Sequence, residues 1–371
     1  MRAADVVVIG GGLHGCSAAL HLARAGASVI VLEKDHVARH ASGVNAGGVR
    51  RLGRDFAEVP LCVASLELWH RIEELVDDGC GFERVGQVKV AEDEAALALM
   101  RGRCEKLAAM GFTHEELIGR DELREWLPMV APHCVGGVVC RDDGAALPFR
   151  TTLAFKRKAQ SLGVTFHEGT RADAVGRREG VWRVSTSAGT FEGASLVNCA
   201  GAWAGEVARQ LGEPVPMEAA ALMLMITARV APFVKPVVGV QGRPLSFKQY
   251  ANGTIMIGGG QRGRADLATN RTTLDYQRLA LNARTAADLF PRMRHAQIVR
   301  AWAGIEGMMP DGIPVIGPSS TQERAWHAFG FSAHGFQLGP IVGSIVADLV
   351  TKGTTQLPVA PFSISRFAMN P

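Results

Sequence analysis

The chain has 371 residues, 47% hydrophobic and 20% charged, values that suit a folded protein of about two domains and exclude a disordered or fibrous one. Forty Lys and Arg against 36 Asp and Glu leave a net charge of +4, with no dense basic run, so no nucleic-acid partner is expected. The seven cysteines (16, 62, 80, 104, 134, 140 and 199) are scattered at spacings that match no zinc or iron–sulfur site. With no apolar run of about 18 residues and no signal-peptide pattern, the expectation is a cytoplasmic protein with reduced thiols and no transmembrane segment.

The N-terminus opens on Asp5-Val-Val-Val-Ile9, a β-branched run suited to a strand buried on both faces. It feeds into Gly10-Gly-Gly12-Leu13-His14-Gly15, then an apolar helix over Cys16 to Ala25 closed by Gly26, then a second strand, Ser28-Val-Ile-Val-Leu32, ending in Glu33-Lys34. Strand, glycine turn, helix, strand and acid in this order are the fingerprint of a dinucleotide site. Gly10 permits the tight turn, Gly12 lets the backbone approach a pyrophosphate, and Gly15 lets the helix pack on the strand. The helix N-terminus, with the amides of Leu13 and His14, faces the phosphates, and Glu33 accepts from ribose hydroxyls while disfavouring a 2′-phosphate.

The next segment, His40-Ala-Ser42-Gly-Val-Asn45-Ala46-Gly47-Gly48-Val-Arg50-Arg51, combines small residues with hydroxyl and amide groups and ends in two guanidiniums. It resembles the loop that wraps the FAD pyrophosphate in glutathione-reductase-like flavoproteins, where an NAD dehydrogenase has no need of one. Farther on, Leu61, Leu68, Ile72 and Leu75 predict an amphipathic helix over 60–76. Residues 84–92, 237–245 and 253–258 alternate as strands of an antiparallel sheet roofing a pocket.

Ser195-Leu-Val-Asn198-Cys-Ala200-Gly201-Ala-Trp203 and Arg300-Ala-Trp302-Ala-Gly304-Ile-Glu306-Gly-Met-Met-Pro310-Asp311-Gly-Ile-Pro314-Val-Ile-Gly317 complete the pattern. With Gly330-Phe-Ser-Ala-His334-Gly335-Phe336-Gln337-Leu338, they resemble the signatures of the D-amino acid oxidase, glycine oxidase and sarcosine oxidase family. The resemblance is closest in type to the catalytic β-subunits of heteromeric sarcosine, hydroxyproline and opine oxidases. It implies an α/β protein with a Rossmann-like FAD-binding domain, discontinuous over 1–80, 146–215 and 300–371, and an antiparallel-sheet substrate domain over 81–145 and 216–299. It also implies backbone contact to the adenine at Ala172. Gly335 and Phe336 open an apolar helix whose N-terminal amides face the flavin edge that becomes negative on reduction.

The implied reaction is oxidation of the C–N bond of an amino acid or N-substituted amino acid by hydride transfer to flavin, giving an imine that hydrolyses. Such a reaction needs a carboxylate clamp and a substrate pocket rather than an obligatory protein base. Arg50, Arg51, Lys248, Gln249, Glu306 and His334 are the candidates to line that pocket, Glu306 standing where the glycine oxidases carry a clamping arginine. FAD is expected to be non-covalent, because residues 304–309 hold no cysteine and Asn45 stands where dimethylglycine dehydrogenases use a histidine. Electrons would pass to oxygen or to an accepting partner subunit, in a homo- or hetero-oligomer. Two alternatives stay open: a 2-hydroxy acid oxidoreductase with His334 as base, and an FAD-binding subunit active only with its partner.

Overall fold

The computed structural model describes residues 2–368, built on two sheets. The first has eight strands, ordered Val315–Pro318, Ala325–Phe329, Gly189–Asn198, Ala3–Ile9, Val29–Leu32 and Thr165–His167, with the hairpin of Ala174–Arg178 and Val181–Thr186 added antiparallel to Gly189–Asn198. From Ala325–Phe329 to Thr165–His167 the pairing is parallel, and the central strands are buried on both faces, as their unbroken Val and Ile runs require. The β-branched runs therefore sit in the middle, between helices.

Two helices cover one face: Leu13–Arg24, and the 18-residue Gly335–Lys352. They cross closely because a Cβ at Gly339 would strike Leu13 and one at Gly343 would strike Ser17. The Ser17 hydroxyl donates to the Pro340 carbonyl across this contact (3.3 Å). Behind them the expected helix over 60–76 is two, Val59–His70 and Ile72–Val76, with a break at Arg71, where φ is −119°. Trp69 is fully buried there and its indole N–H donates to the Gln337 carbonyl (2.7 Å).

The second sheet has ten strands. Its order is Arg271–Thr273, Arg262–Asp266, Glu218–Thr227, Ile255–Gly258, Ser246–Gln249, Val237–Val240, Gln87–Ala91, Gly136–Cys140 and Glu116–Gly119, with Ile298–Met308 also on Glu218–Thr227. All its pairings are antiparallel except Val237–Val240 with Gln87–Ala91. The strands expected over 84–92 and 237–245 are shorter than their sequence patterns, because Gly86 (φ +76°) and Gly242 (φ +81°) turn the chain. Ile298–Met308 pairs along its length with Glu218–Thr227, so the Trp302-x-Gly304 stretch belongs to the second sheet and leans from it onto the first.

A buried polar cluster ties the loop after the Ala204–Gln210 helix to the edge hairpin of Val315–Pro318 and Ala325–Phe329. Glu213 accepts from His327 Nε2 (2.9 Å), Ser319 Oγ (2.6 Å) and the Ser320 amide (2.6 Å). Burial alone would raise the Glu213 carboxyl, but these donors outweigh it and hold it at about 2. A carboxyl depressed on folding contributes stability that is present above its unfolded value and lost as pH falls through the folded one. Glu213→Gln is therefore expected to destabilise the protein near neutral pH and to flatten the loss of stability between about pH 4.5 and about pH 2, read by urea unfolding across that range. Equal pH slopes for the two proteins would show that Glu213 is not the titrating group.

Candidate active site

The glycine turn forms one end of a long cavity of about 580 Å³ that runs between the two sheets. Gly10 takes φ +107°, and a Cβ there would strike the Cys199 carbonyl, while one at Gly15 would strike the Gly10 carbonyl. At Gly12 a Cβ would stand 2.9 Å from Ser42 Oγ, which accepts from the Leu13 amide (2.9 Å). Glu33 receives the Gly11 amide on Oε2 (2.7 Å) and the Asp35 amide on Oε1 (2.9 Å), and burial raises its pKa. Ala172, Ala200 and Gly201 line the same end.

Lys34 acts here as a tie between elements. Its ammonium donates to Asn270 Oδ1 (2.8 Å), pairs with Asp35 and lies 3.8 Å from the centroid of the Trp203 ring. Trp203 is thereby held at the cavity edge, with His40 tilted against it. The loop after the second strand is fixed by Asn45, which donates to the Ala41 carbonyl (2.9 Å) and accepts from the Gly47 amide (2.7 Å). Gly47 needs its left-handed φ of +68°, and Ala46, Gly47 and Gly48 line the cavity with bare backbone. From the second sheet, the Trp302 indole donates to the Val44 carbonyl (2.9 Å), and a Cβ at Gly304 would stand 2.6 Å from Val44.

The C-terminal helix begins at Gly335 with no side chain capping its amides, and Gly335 and Phe336 line the cavity. Gln337 and Leu338 turn away from it: the Gln337 side-chain amide donates to the Cys62 carbonyl (2.8 Å), and Leu338 is in the core. The His14 ring stacks on Phe331 at 3.7 Å, and burial pushes its pKa down to about 3, so it is neutral.

At the opposite end the cavity is lined by Arg50, Arg54, Gln87, Lys89, Glu306 and His334. Arg50 donates to the Leu52 carbonyl (2.7 Å); burial and the neighbouring Arg54 lower it to about 10, leaving it charged. Glu306 sits on the second sheet opposite Ala220. Burial pushes its carboxyl up to about 7, against the single opposing hydrogen bond from the Ala333 backbone. His334 Nδ1 is 3.3 Å from Glu58 Oε2, and burial holds the imidazole down at about 4.

Three of the sequence candidates lie elsewhere. Arg51 is committed to Asp143, to which it gives its amide (2.8 Å) and Nε (3.1 Å). Gln249 is a loop clamp that accepts from the Phe233 amide (2.9 Å) and donates to the Val230 carbonyl (3.0 Å). Lys248 is 5% exposed behind the loop, where its Nζ would lie 3.1 Å from a Gly47 Cβ; burial lowers its pKa to about 8. Conversely, Arg54 and Lys89 are site residues that the sequence motifs do not single out. Their signals are present all the same: Arg54 follows Arg50 by four residues, and Lys89 alternates with Val88 and Val90 on a strand of the pocket roof.

A glycine-lined dinucleotide cradle, opening into a cavity lined by Arg50, Lys89 and Glu306, defines a nucleotide-cofactor oxidoreductase. The chain belongs to the DAO family of FAD dependent oxidoreductases, whose family model matches residues 5–349. It is 26% identical to the β-subunit of the sarcosine oxidase of Rhizobium meliloti (strain 1021) over 98% of this chain and 88% of that one. It is 24% identical to a subunit of the opine oxidase of Rhizobium meliloti over 99% and 98%. The structure of L-proline dehydrogenase from P. horikoshii superposes with a TM-score of 0.91 at 28% identity, covering 99% of this chain and 98% of that chain. FAD is the cofactor, and the cradle fits it. Bare backbone at Gly10, Gly12 and Gly47 leaves room for a diphosphate and a ring, Glu33 meets the end where a ribose belongs, and uncapped amides at Gly335 offer positive charge.

The pairing of Arg51 (11% exposed) with the fully buried Asp143 makes a stability prediction. Arg51→Ala leaves a buried carboxylate without its counter-charge and should lower the unfolding free energy by about 3–5 kcal/mol, measured by urea titration. Replacing both residues by leucine should cost less, and an Arg51→Ala protein as stable as the parent would place the pair outside the structural core.

Proposed function

We propose that this protein oxidises the C–N bond of an amino acid or N-substituted amino acid, releasing an imine that water hydrolyses to an oxo acid and an amine. The carrying observation is that Arg50 and Glu306 line the same cavity, a fixed cation for a substrate carboxylate and a carboxyl raised toward neutrality for its amine. FAD supplies the two-electron acceptor for the hydride that leaves the substrate carbon.

The residues of the chain do the rest. Arg50 orients the substrate through its carboxylate, so that its α-C–H is presented in one direction. Glu306, with a pKa of about 7, takes a proton from the substrate ammonium, which leaves the nitrogen lone pair free to expel the hydride. Neutral His334, braced by Glu58, adds a polar edge without a competing charge. Indole and glycine contacts from Trp302 and Gly304 pack the second sheet against the Ala41–Val44 helix at the cavity wall. The first sheet would carry FAD, without a covalent bond, and the second would roof the substrate. Both Rhizobium relatives are named as subunits of an oxidase, which supports a partner chain as the electron acceptor.

The deciding experiment is an anaerobic visible spectrum of the purified yellow protein during additions of sarcosine, L- and D-proline, an opine and a 2-hydroxy acid. Bleaching by an amine and none by the hydroxy acid is expected, and bleaching by the hydroxy acid alone would overturn the reading. Admitting air then shows whether oxygen restores the bands. With a reactive amine in hand, the reduction rate should rise with pH through about 7, since the basic form of Glu306 is the active one. Glu306→Gln should cost about 10²–10⁴ in rate and remove that inflection; an unchanged profile would free Glu306 of the proton.

A further inference from the structure

The substrate end of the cavity holds more positive charge than one carboxylate can neutralise. The surrounding ions pair off in a way that shows which cations are left. Arg51 is held by Asp143, Arg103 by a two-pronged contact with Glu115 (2.8 Å on each oxygen), and Arg243 by Glu92 (2.6 Å) and Asp288 (2.9 Å). Glu58 faces Arg54 and His334. Among the described residues at this end, no acidic partner lies within 4.0 Å of Arg50, Arg54 or Lys89; Glu58 faces Arg54, which leaves Arg50 and Lys89, and the Lys89 ammonium has no hydrogen bond.

These two cations converge from different elements. Arg50 comes from the loop of the first sheet and Lys89 from a strand of the second, and they flank Gly53, with Nη1 and Nζ 3.8 and 3.9 Å from the point a Gly53 Cβ would occupy. Further buried atoms at this end lack hydrogen-bond partners: Nη1 of Arg54, a residue 2% exposed, Oε1 of Gln87, a residue 7% exposed on the same strand face as Lys89, and the Glu58 oxygens with His334 Nδ1, whose closest approach is 3.3 Å. Arg50, Arg54, Gln87 and Lys89 all line the cavity.

A charge without a counter-ion becomes unfavourable as a ligand displaces its water, and a cavity lined by two such half-buried cations favours a ligand that carries both counter-charges. A monocarboxylate would leave one cation uncompensated once water is expelled. We propose that the substrate bears two carboxylates, as in an N-(carboxyalkyl) amino acid, with Arg50 neutralising one and Lys89, assisted by Arg54 Nη1, the other. Gln87 Oε1 then accepts from the substrate N–H. This assignment rests on the amine-oxidation reading, and names the substrate class within it.

The test separates the two. Binding of non-oxidisable analogues to the FAD-loaded protein is measured by calorimetry, using oxydiacetate as the dicarboxylate and methoxyacetate as its monocarboxylate counterpart. Oxydiacetate should bind at least about tenfold more tightly, a difference of about 1.4 kcal/mol. Lys89→Met should reduce that preference to about threefold or less, and Lys89→Arg should retain most of it; flavin absorbance and thermal melting report whether each variant is folded. Equal affinity of the unaltered protein for the two acids overturns the proposal without recourse to any variant. So does a preference that survives in folded Lys89→Met. In turnover, N-(carboxymethyl)glycine should exceed sarcosine in kcat/KM by a similar factor, and parity would remove the two-carboxylate assignment while leaving amine oxidation standing. If oxydiacetate binds as stated but no amine bleaches the flavin, the oxidation reading falls and the dicarboxylate site remains.

Discussion

The structure turns on one close approach of backbone to backbone. At the end of the first strand the chain reverses at Gly10 directly against the Cys199 carbonyl, and Gly15 brings the first helix down onto the Gly10 carbonyl. No side chain larger than hydrogen fits at either point. Because the turn is this tight, the helix amides, the end of the second strand at Glu33 and the start of the Ala200–Trp203 segment converge on one small region. That convergence is what a dinucleotide requires, and the rest of the first sheet serves to hold it.

At the other end of the cavity electrostatics takes over from sterics. Around the rim Arg51, Arg103 and Arg243 prove to be structural once their acidic partners are known. Arg51 and Arg50 are adjacent in the chain just after the strand Gly48–Val49, yet have opposite fates: Arg51 is taken by Asp143 and Arg50 lines the cavity. Glu306 is the mirror case, a carboxyl buried without a cationic side chain to hold it charged and therefore shifted toward neutrality. A pair of groups whose surroundings push them away from simple ion pairing is what proton-coupled chemistry uses.

How much of this is readable in the sequence follows from the range of the interactions involved. The glycine turn, both flanking strands, the first helix and Glu33 are set by local pattern and close spacing, and they stand where the sequence indicates. The C-terminal helix is likewise visible from its apolar run. The substrate end is legible only in part. Arg50, Glu306 and His334 line the cavity, but nothing local reveals that Asp143, 92 positions away, claims Arg51. Gln249 misleads for the same reason, since its partners lie in a loop that returns from Phe233. Lys89 is detectable from alternation alone, as the polar residue between two valines on a strand that the sequence already marks. The sheet that carries Ile298–Met308 is not legible either, because a motif tied to the cofactor suggests the first sheet, whereas the strand pairs with Glu218–Thr227 of the second.

The crossing of the first helix with the C-terminal one has a consequence for how the molecule is made. Gly339 and Gly343 meet Leu13 and Ser17 across more than 320 positions of chain, and the first strand waits for residues 189–198 before it has a neighbour on that side. The turn therefore lacks its packing against Cys199 and against the Gly335–Lys352 helix until those distant segments have joined it. Contacts this distant in sequence close slowly, so completion of the cradle is set by long-range docking rather than by the local motif.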